Sequence, residues 1–180
     1  MKPLCVVSCP IDTFSGYGAR SRDFVNALIK VKDSEWDIKI LPQRWGNTPW
    51  NYLKQDDPLK QRFLPQLPSQ PDIWFQVTVP NEFSPMGKSL NVGVTAGIET
   101  TVFPGEFIDG CNRMDVTFIS SNFSKGVYQQ TKLERRDQNQ QVVGEVKAEK
   151  PMEVLFEGLD LTKYNKKPQN SGLLKDIKED

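Results

Sequence analysis

Several short stretches carry residue types that could do chemistry. Pro10-Ile-Asp-Thr-Phe-Ser-Gly-Tyr-Gly-Ala-Arg20 sets Gly16, Tyr17, Gly18 and Arg20 just after an apolar run. Glycines at a strand-to-helix turn let the backbone approach a ligand, and a helix N-terminus offers free N–H groups to an anion. Ala96-Gly-Ile-Glu-Thr-Thr101 puts one carboxylate, Glu99, beside the hydroxyls of Thr100 and Thr101, a set suited to a sugar hydroxyl or a developing charge. Val79-Pro-Asn-Glu82, Ser120-Ser121-Asn122 and Glu157-Gly158-Leu-Asp160 follow three further apolar runs. Three of these stretches also have a plainer reading. The glycines could simply permit a tight turn, Ser120 to Asn122 could cap a helix, and Glu99 could cap the helix that begins near Pro104.

Composition removes several chemistries. The chain has no histidine, so an imidazole base, a Ser-His or Cys-His pair and a His-ligated metal are all excluded within it. No metal and no cofactor are expected. Lysine plus arginine (23) balances aspartate plus glutamate (23), which argues against a nucleic-acid or anionic-membrane binder. Cys5, Cys9 and Cys111 are an odd set without framework spacing, and two of them sit in an apolar run, as free buried thiols do. A reducing, cytoplasmic setting is expected. The apolar stretch Leu4 to Cys9 is too short for a signal-peptide core or a membrane span.

The elements that must position these residues alternate. Leu4-Cys-Val-Val-Ser-Cys9 reads as a strand buried on both faces. A helix is expected from about Gly16 to Val31, capped by Ser15, with Phe24, Leu28, Val31, Val25 and Ile29 on its inner side. Strands are expected over Trp36 to Leu41, Asp72 to Thr78, Leu90 to Thr95, Asp115 to Ser120 and Met152 to Phe156. Six prolines between residues 42 and 71 leave room for one short helix there, around Pro58 to Phe63. Further helices are expected over Pro104 to Arg113 and over Ser121 to Glu134, the latter carrying Phe123, Val127 and Tyr128 inward. Residues 135 to 150 read as a solvated insertion or extended hairpin, and less well as a functional basic patch. Leu173 to Glu179 reads as a weak helix.

Alternating strands and helices imply a doubly wound α/β fold with a mainly parallel sheet, whose ligands bind at the carboxyl ends of the strands. The glycine loop is not a dinucleotide fingerprint. Ser21 stands at its third glycine position, and the second strand ends in Leu41-Pro42 without an acidic residue to grip a ribose. A dehydrogenase-like reading is disfavoured accordingly, and no Walker-type Gly-Lys-Ser/Thr is present.

Ser15-Gly-Tyr-Gly-Ala-Arg-Ser-Arg-Asp-Phe-Val-Asn-Ala-Leu28 resembles the glycine-rich first loop and helix of family-4-like retaining glycosyltransferases of the GT-B fold. Val94-Thr-Ala-Gly-Ile-Glu-Thr-Thr101 with Met114-Asp-Val-Thr-Phe-Ile-Ser-Ser-Asn-Phe-Ser-Lys125 resembles their run of strand, Glu/Thr loop, helix, Met-Asp, strand and Ser-x-Phe-x-Lys. Glu157-Gly-Leu-Asp160 is similar to their Gly-Val-Asp turn near the crossing between domains. The likeness runs from about residue 4 to 165. Many family members carry a histidine after the fourth strand, where this chain reads Thr95-Ala96-Gly97.

The resemblance implies a Rossmann-like N-terminal, acceptor-side domain over residues 1–165, one half of a GT-B fold. Residues 166–180 would be a polar tail leading toward a C-terminal donor domain that this chain lacks. The activity implied is transfer of a sugar from a nucleotide-sugar donor to an acceptor glycan, lipid or small molecule with retention, inactive without the second domain. Gly16, Tyr17, Gly18 and Arg20 would approach phosphates or acceptor. Glu99 would be the catalytic carboxylate, and Thr100, Thr101, Ser121, Asn122, Glu157 and Gly158 would line the substrate groove. Asp160 would shape the interdomain turn. The alternative is a non-catalytic Rossmann-like binding or scaffold domain.

Overall fold

The computed structural model describes residues 2–158 and 161. Asp160, the polar tail and the expected helix over 173–179 lie outside them. In chain order the elements are β1 (Leu4–Cys9), α1 (Gly16–Lys32), β2 (Asp37–Pro42), β3 (Ile73–Val77), β4 (Leu90–Val94), α2 (Gly105–Arg113), β5 (Val116–Ile119), α3 (Asn122–Gln130), β6 (Lys132–Arg136), β7 (Val142–Lys147) and β8 (Met152–Val154). Two 3-10 turns, Pro58–Arg62 and Pro80–Glu82, interrupt the long connections.

Six strands form one sheet in the order β2-β1-β3-β4-β5-β8, and all five pairings are parallel. With helices on both faces this is a Rossmann-like, doubly wound α/β fold. The two faces have separate cores because successive strand residues point to opposite sides. Cys5, Val7, Cys9, Ile38, Ile40, Phe75 and Val94 pack beneath Phe24 and Val25 of α1. Val6, Trp74, Ile119 and Met152 pack on the other side with Ile108 of α2 and Val127 and Tyr128 of α3.

Local chemistry sets the element ends. Ser15 is the N-cap of α1, its Oγ accepting the Gly18 N–H at 2.9 Å, a contact worth about 1 kcal/mol. The inner side of α1 carries Ser21, Phe24 and Val25, with Leu28 and Ile29 partly buried. Val31 is not part of it and is 68% exposed; at that end Trp36 takes the place against Phe75, their rings 6.5 Å apart.

The helix expected from Ser121 to Glu134 ends early. The Thr131 backbone turns extended, its hydroxyl donates to the Val127 carbonyl, and the same oxygen accepts the Phe103 N–H. Capping at Ser121 directs Ser124, Val127 and Tyr128 inward, so Phe123, one step off that face, is 54% exposed. Residues Lys132–Arg136 instead pair antiparallel with Val142–Lys147, with a bulge at Arg135/Arg136. The polar stretch is thus a hairpin, anchored where Leu133 and Val146 join the α2/α3-side core.

One part of the sheet is thinly covered. Among the described residues α1 is the one α-helix on its side, joined there by Leu59 of the Pro58–Arg62 turn, and Val116 and Phe118 on β5 are half-buried there. A groove of about 750 Å³ runs between α1 and the chain after β8, lined by Arg20, Phe24, Ala27, Leu155 and Phe156. No described helix is long and apolar enough to cross a membrane.

All three cysteines are free and buried, and loss of water around them pushes each thiol up to about 12. The folded chain should therefore leave all three unreacted with a thiol reagent at neutral pH, and denaturation should release three equivalents. Fewer than three after denaturation without reductant would reveal a disulfide.

Candidate functional site

Parallel strands deliver their carboxyl ends to one edge, and side chains tie the loops there to one another. Tyr17 reaches from the first turn of α1 to the end of β4, where its hydroxyl meets Thr95 Oγ1 at 3.1 Å and accepts the Ala96 N–H at 3.3 Å. Ser120 Oγ, just past β5, donates to the Ala96 carbonyl at 2.6 Å, and Ser124 Oγ donates to the Ile98 carbonyl at 2.8 Å. Arg20 donates to the Leu155 carbonyl at 2.9 Å and stands 3.7 Å from Glu157. The loops after β1, β4, β5 and β8 are therefore linked by side-chain contacts.

The residues proposed from sequence play different parts in this edge. Gly18 is required by packing. A Cβ there would lie 2.4 Å from the Thr13 carbonyl oxygen, so close helix-to-loop contact explains the glycine. Gly16 has open space around it, and the N–H groups of Gly16 and Tyr17 find no acceptor among the described residues, whereas Gly18 and Ala19 donate to Ser15. A helix start with two free donors and the positive end of the helix dipole is disposed to meet an anion. Arg20 is mostly covered and held by Leu155 and Glu157, so its guanidinium braces the loops. Ser121 caps α3, accepting the Ser124 N–H and donating to Ser124 Oγ. Asn122 is exposed beside it.

Glu99 and Thr101 are exposed on the loop after β4, and Thr100 donates to the Val102 carbonyl at 3.1 Å. Glu99 makes no side-chain hydrogen bond or ion pair with another described residue. It does not cap α2, whose N-cap position is Pro104. Glu157 and Gly158 are exposed at the other end of the edge.

A second feature lies where the strand order reverses, between β1 and β3. In open α/β sheets this switch point is where ligands bind. A crevice of about 70 Å³ opens there, walled by Ser8, Gln43, Arg44, Trp45, Thr78 and Glu82. Trp45 stacks on Tyr17 with ring centroids 4.2 Å apart, joining the crevice to the glycine loop. Thr78 donates to the Glu82 carboxylate. The Gln76 amide donates to the Glu82 carbonyl at 3.1 Å and accepts the Ser84 N–H at 2.7 Å, which fixes the Pro80–Glu82 turn. Arg44 lies over the Trp50 ring at 4.4 Å.

Comparisons with protein-family models, with curated proteins and with solved structures return no match. The geometry of the edge is therefore the basis for assigning it a role. Sequence reasoning singles out the glycine loop and the Glu99 loop but passes over Gln43, Arg44, Trp45, Gln76 and Thr78. One signal was available: Gln76 and Thr78 are polar residues at alternate positions of an otherwise apolar strand segment, Ile73-Trp-Phe-Gln-Val-Thr78.

Proposed function

We propose that this chain is the acceptor-side, Rossmann-like domain of a GT-B-type glycosyltransferase, transferring a sugar with retention from a nucleotide-sugar donor held mainly by a second domain. The observation that carries this reading is the linked carboxyl edge. It combines the two free N–H groups at the start of α1, the accessible Glu99 carboxylate and an aromatic, hydrogen-bonding crevice at the switch point. In this reading the N–H groups of Gly16 and Tyr17 face the donor diphosphate, which a helix N-terminus favours. Glu99 faces the acceptor hydroxyl or the positive charge that develops at the anomeric carbon, where a fixed carboxylate stabilises the transition state more than the ground state.

If the donor diphosphate is held mainly by a second domain, as this reading has it, residues 1–180 by themselves are expected to show no transfer with a panel of nucleotide sugars. In a two-domain polypeptide carrying this domain, Glu99→Gln should lower turnover at least about tenfold, the scale of a lost electrostatic contact. The same change should alter folding stability by no more than about 0.5 kcal/mol, since the side chain is exposed and unpaired among the described residues. Robust transfer by the isolated chain, or tight NAD binding, would overturn the reading. A non-catalytic binding or scaffold domain is favoured by one observation: the Arg20 guanidinium and the Ser121 hydroxyl are both engaged in internal contacts. Absence of transfer from any two-domain polypeptide carrying this domain would support that alternative, whereas unchanged turnover in Glu99→Gln would remove Glu99 alone from the site.

A further inference from the structure

We propose that the crevice between the ends of β1 and β3 is a neutral-saccharide subsite, taking the hydroxyl edge of a sugar whose ring lies against Trp45. The inference deepens the acceptor-side reading, on which it rests, by placing the acceptor at the switch point and naming its class.

Volume limits the ligand. About 70 Å³ holds roughly two waters, so the crevice admits a pair of hydroxyls or a hydroxymethyl arm, while a ring must stay outside. At its mouth the ring meets Trp45, which is half-buried, with the part that Tyr17 does not cover left available. Indole is an apolar surface suited to the C–H face of a pyranose, whose hydroxyls then project from the rim.

The polar groups fit hydroxyls better than other ligands. Ser8 is 2% exposed, lines the crevice, and its hydroxyl makes no hydrogen bond with another described residue. Its oxygen is not among the fully buried unpartnered polar atoms, so it opens onto the crevice, where a hydroxyl both donates and accepts, as a sugar hydroxyl does. Glu82 Oε2 accepts from Thr78, so Oε1 is left to accept a ligand O–H. Gln43 is exposed and its amide offers both functions. An anion would meet Arg44, which lines the crevice while lying over the Trp50 ring, but it would also face the Glu82 carboxylate. An apolar ligand would cover the Ser8 hydroxyl and Glu82 Oε1 without giving either a hydrogen bond, an unfavourable desolvation. The turn is also preorganised: Arg113 donates to the Phe83 carbonyl at 2.8 Å and the Asn81 carbonyl at 2.9 Å, so little ordering remains to be done on binding.

The test uses the full chain and ligand-observed saturation-transfer NMR. Probes are the methyl glycosides of glucose, mannose and galactose and the disaccharide maltose, set against glucose 6-phosphate and inorganic phosphate. At least one neutral probe should bind saturably in the millimolar range. Trp45→Ala and Glu82→Gln should each weaken that binding at least tenfold. Gln43→Ala, an exposed change that leaves the fold intact, should weaken it several-fold. Circular dichroism and thermal melts separate loss of binding from loss of fold. Absence of binding by every neutral probe, or preference for phosphate, overturns the subsite. Binding that survives the Trp45 and Gln43 changes but falls in Glu99→Gln also overturns it, while leaving the acceptor-side reading in place. That reading fails by a different result, transfer or tight NAD binding by the isolated chain.

Discussion

Replacing Gly110 with alanine is expected to cost about 3 kcal/mol or more, the upper end of what overpacking a core does. The glycine lies in α2 where the helix presses on the Pro80–Glu82 turn. A Cβ there would lie only 1.8 Å from the Pro80 carbonyl oxygen, 2.4 Å from its carbon and 3.0 Å from the Asn81 nitrogen. All three are backbone atoms, so no side-chain rotation relieves the clash and the helix must move away from the turn. The movement would stretch the Arg113 hydrogen bonds to Phe83 and Asn81 and lift Phe83, 2% exposed, from the Gly93 backbone it covers. Alanine's better helix propensity returns about 1 kcal/mol, too little to offset this. For a chain of this size each kcal/mol is worth about 2–4 °C, so the midpoint should fall by about 6–12 °C. Gly126 in α3 is the control, with nothing within 4 Å of its would-be Cβ. Gly126→Ala should stabilise by about 0.5–1 kcal/mol. Urea denaturation of both variants checks the pair. Equal midpoints for Gly110→Ala and the unaltered chain would show that α2 and the turn are not tightly apposed.

That contact joins segments far apart in the chain, and distance of this kind separates the legible parts of the molecule from the rest. β1, β3 and β4 are legible because strands buried on both faces are short apolar runs bounded by breakers, and Ser15 announces α1 by its capping chemistry. β6 is not. Lys-Leu-Glu-Arg-Arg has one apolar residue, Leu133, so a period of two has nothing to display, and no proline or glycine separates it from α3. The early end of α3 is decided by Thr131 bonding to Phe103, a partner 28 residues away that local pattern does not contain. Ser121 has the chemistry of a cap, and its hydroxyl does cap α3.

The crevice is hidden for a related reason. Its aromatic wall comes from residues 42–71, where prolines and tryptophans erase periodicity and tertiary contacts alone fix the path. Gly16 and Gly18 look equivalent in sequence. In the folded chain one faces open space and the other faces Thr13, a distinction that depends on where residues 10–14 turn.

The same dependence sets the second large effect. Asp12→Ala should cost about 3 kcal/mol, the range for removing one partner of a buried charge pair. The Asp12 side chain is 3% exposed, just past β1, and its Oδ1 accepts the Leu53 N–H at 2.7 Å while Oδ2 lies 3.8 Å from Lys60 Nζ. Its backbone carbonyl accepts the Tyr52 N–H at 3.0 Å, and neighbouring Phe14 donates to the Pro49 carbonyl at 3.0 Å. Asp12 thereby pins a long irregular segment, the one that presents Trp45 and Trp50, against the carboxyl edge. Alanine would leave the Leu53 N–H buried without an acceptor and Lys60, only 18% exposed, without its carboxylate. Asp12→Asn keeps an acceptor for Leu53 and loses the charge, so it should cost about half as much. Hydrogen exchange separates a local from a general effect. In Asp12→Ala the amides of Phe14, Tyr52 and Leu53 should exchange at least about a hundredfold faster, because local opening then needs about 3 kcal/mol less. The β3–β4 amides, which open only with the whole domain, should respond to the global loss alone. Faster exchange of the β3–β4 amides, with those of Phe14, Tyr52 and Leu53 unchanged, would mean that Asp12 stabilises the fold without holding the segment that forms the crevice wall.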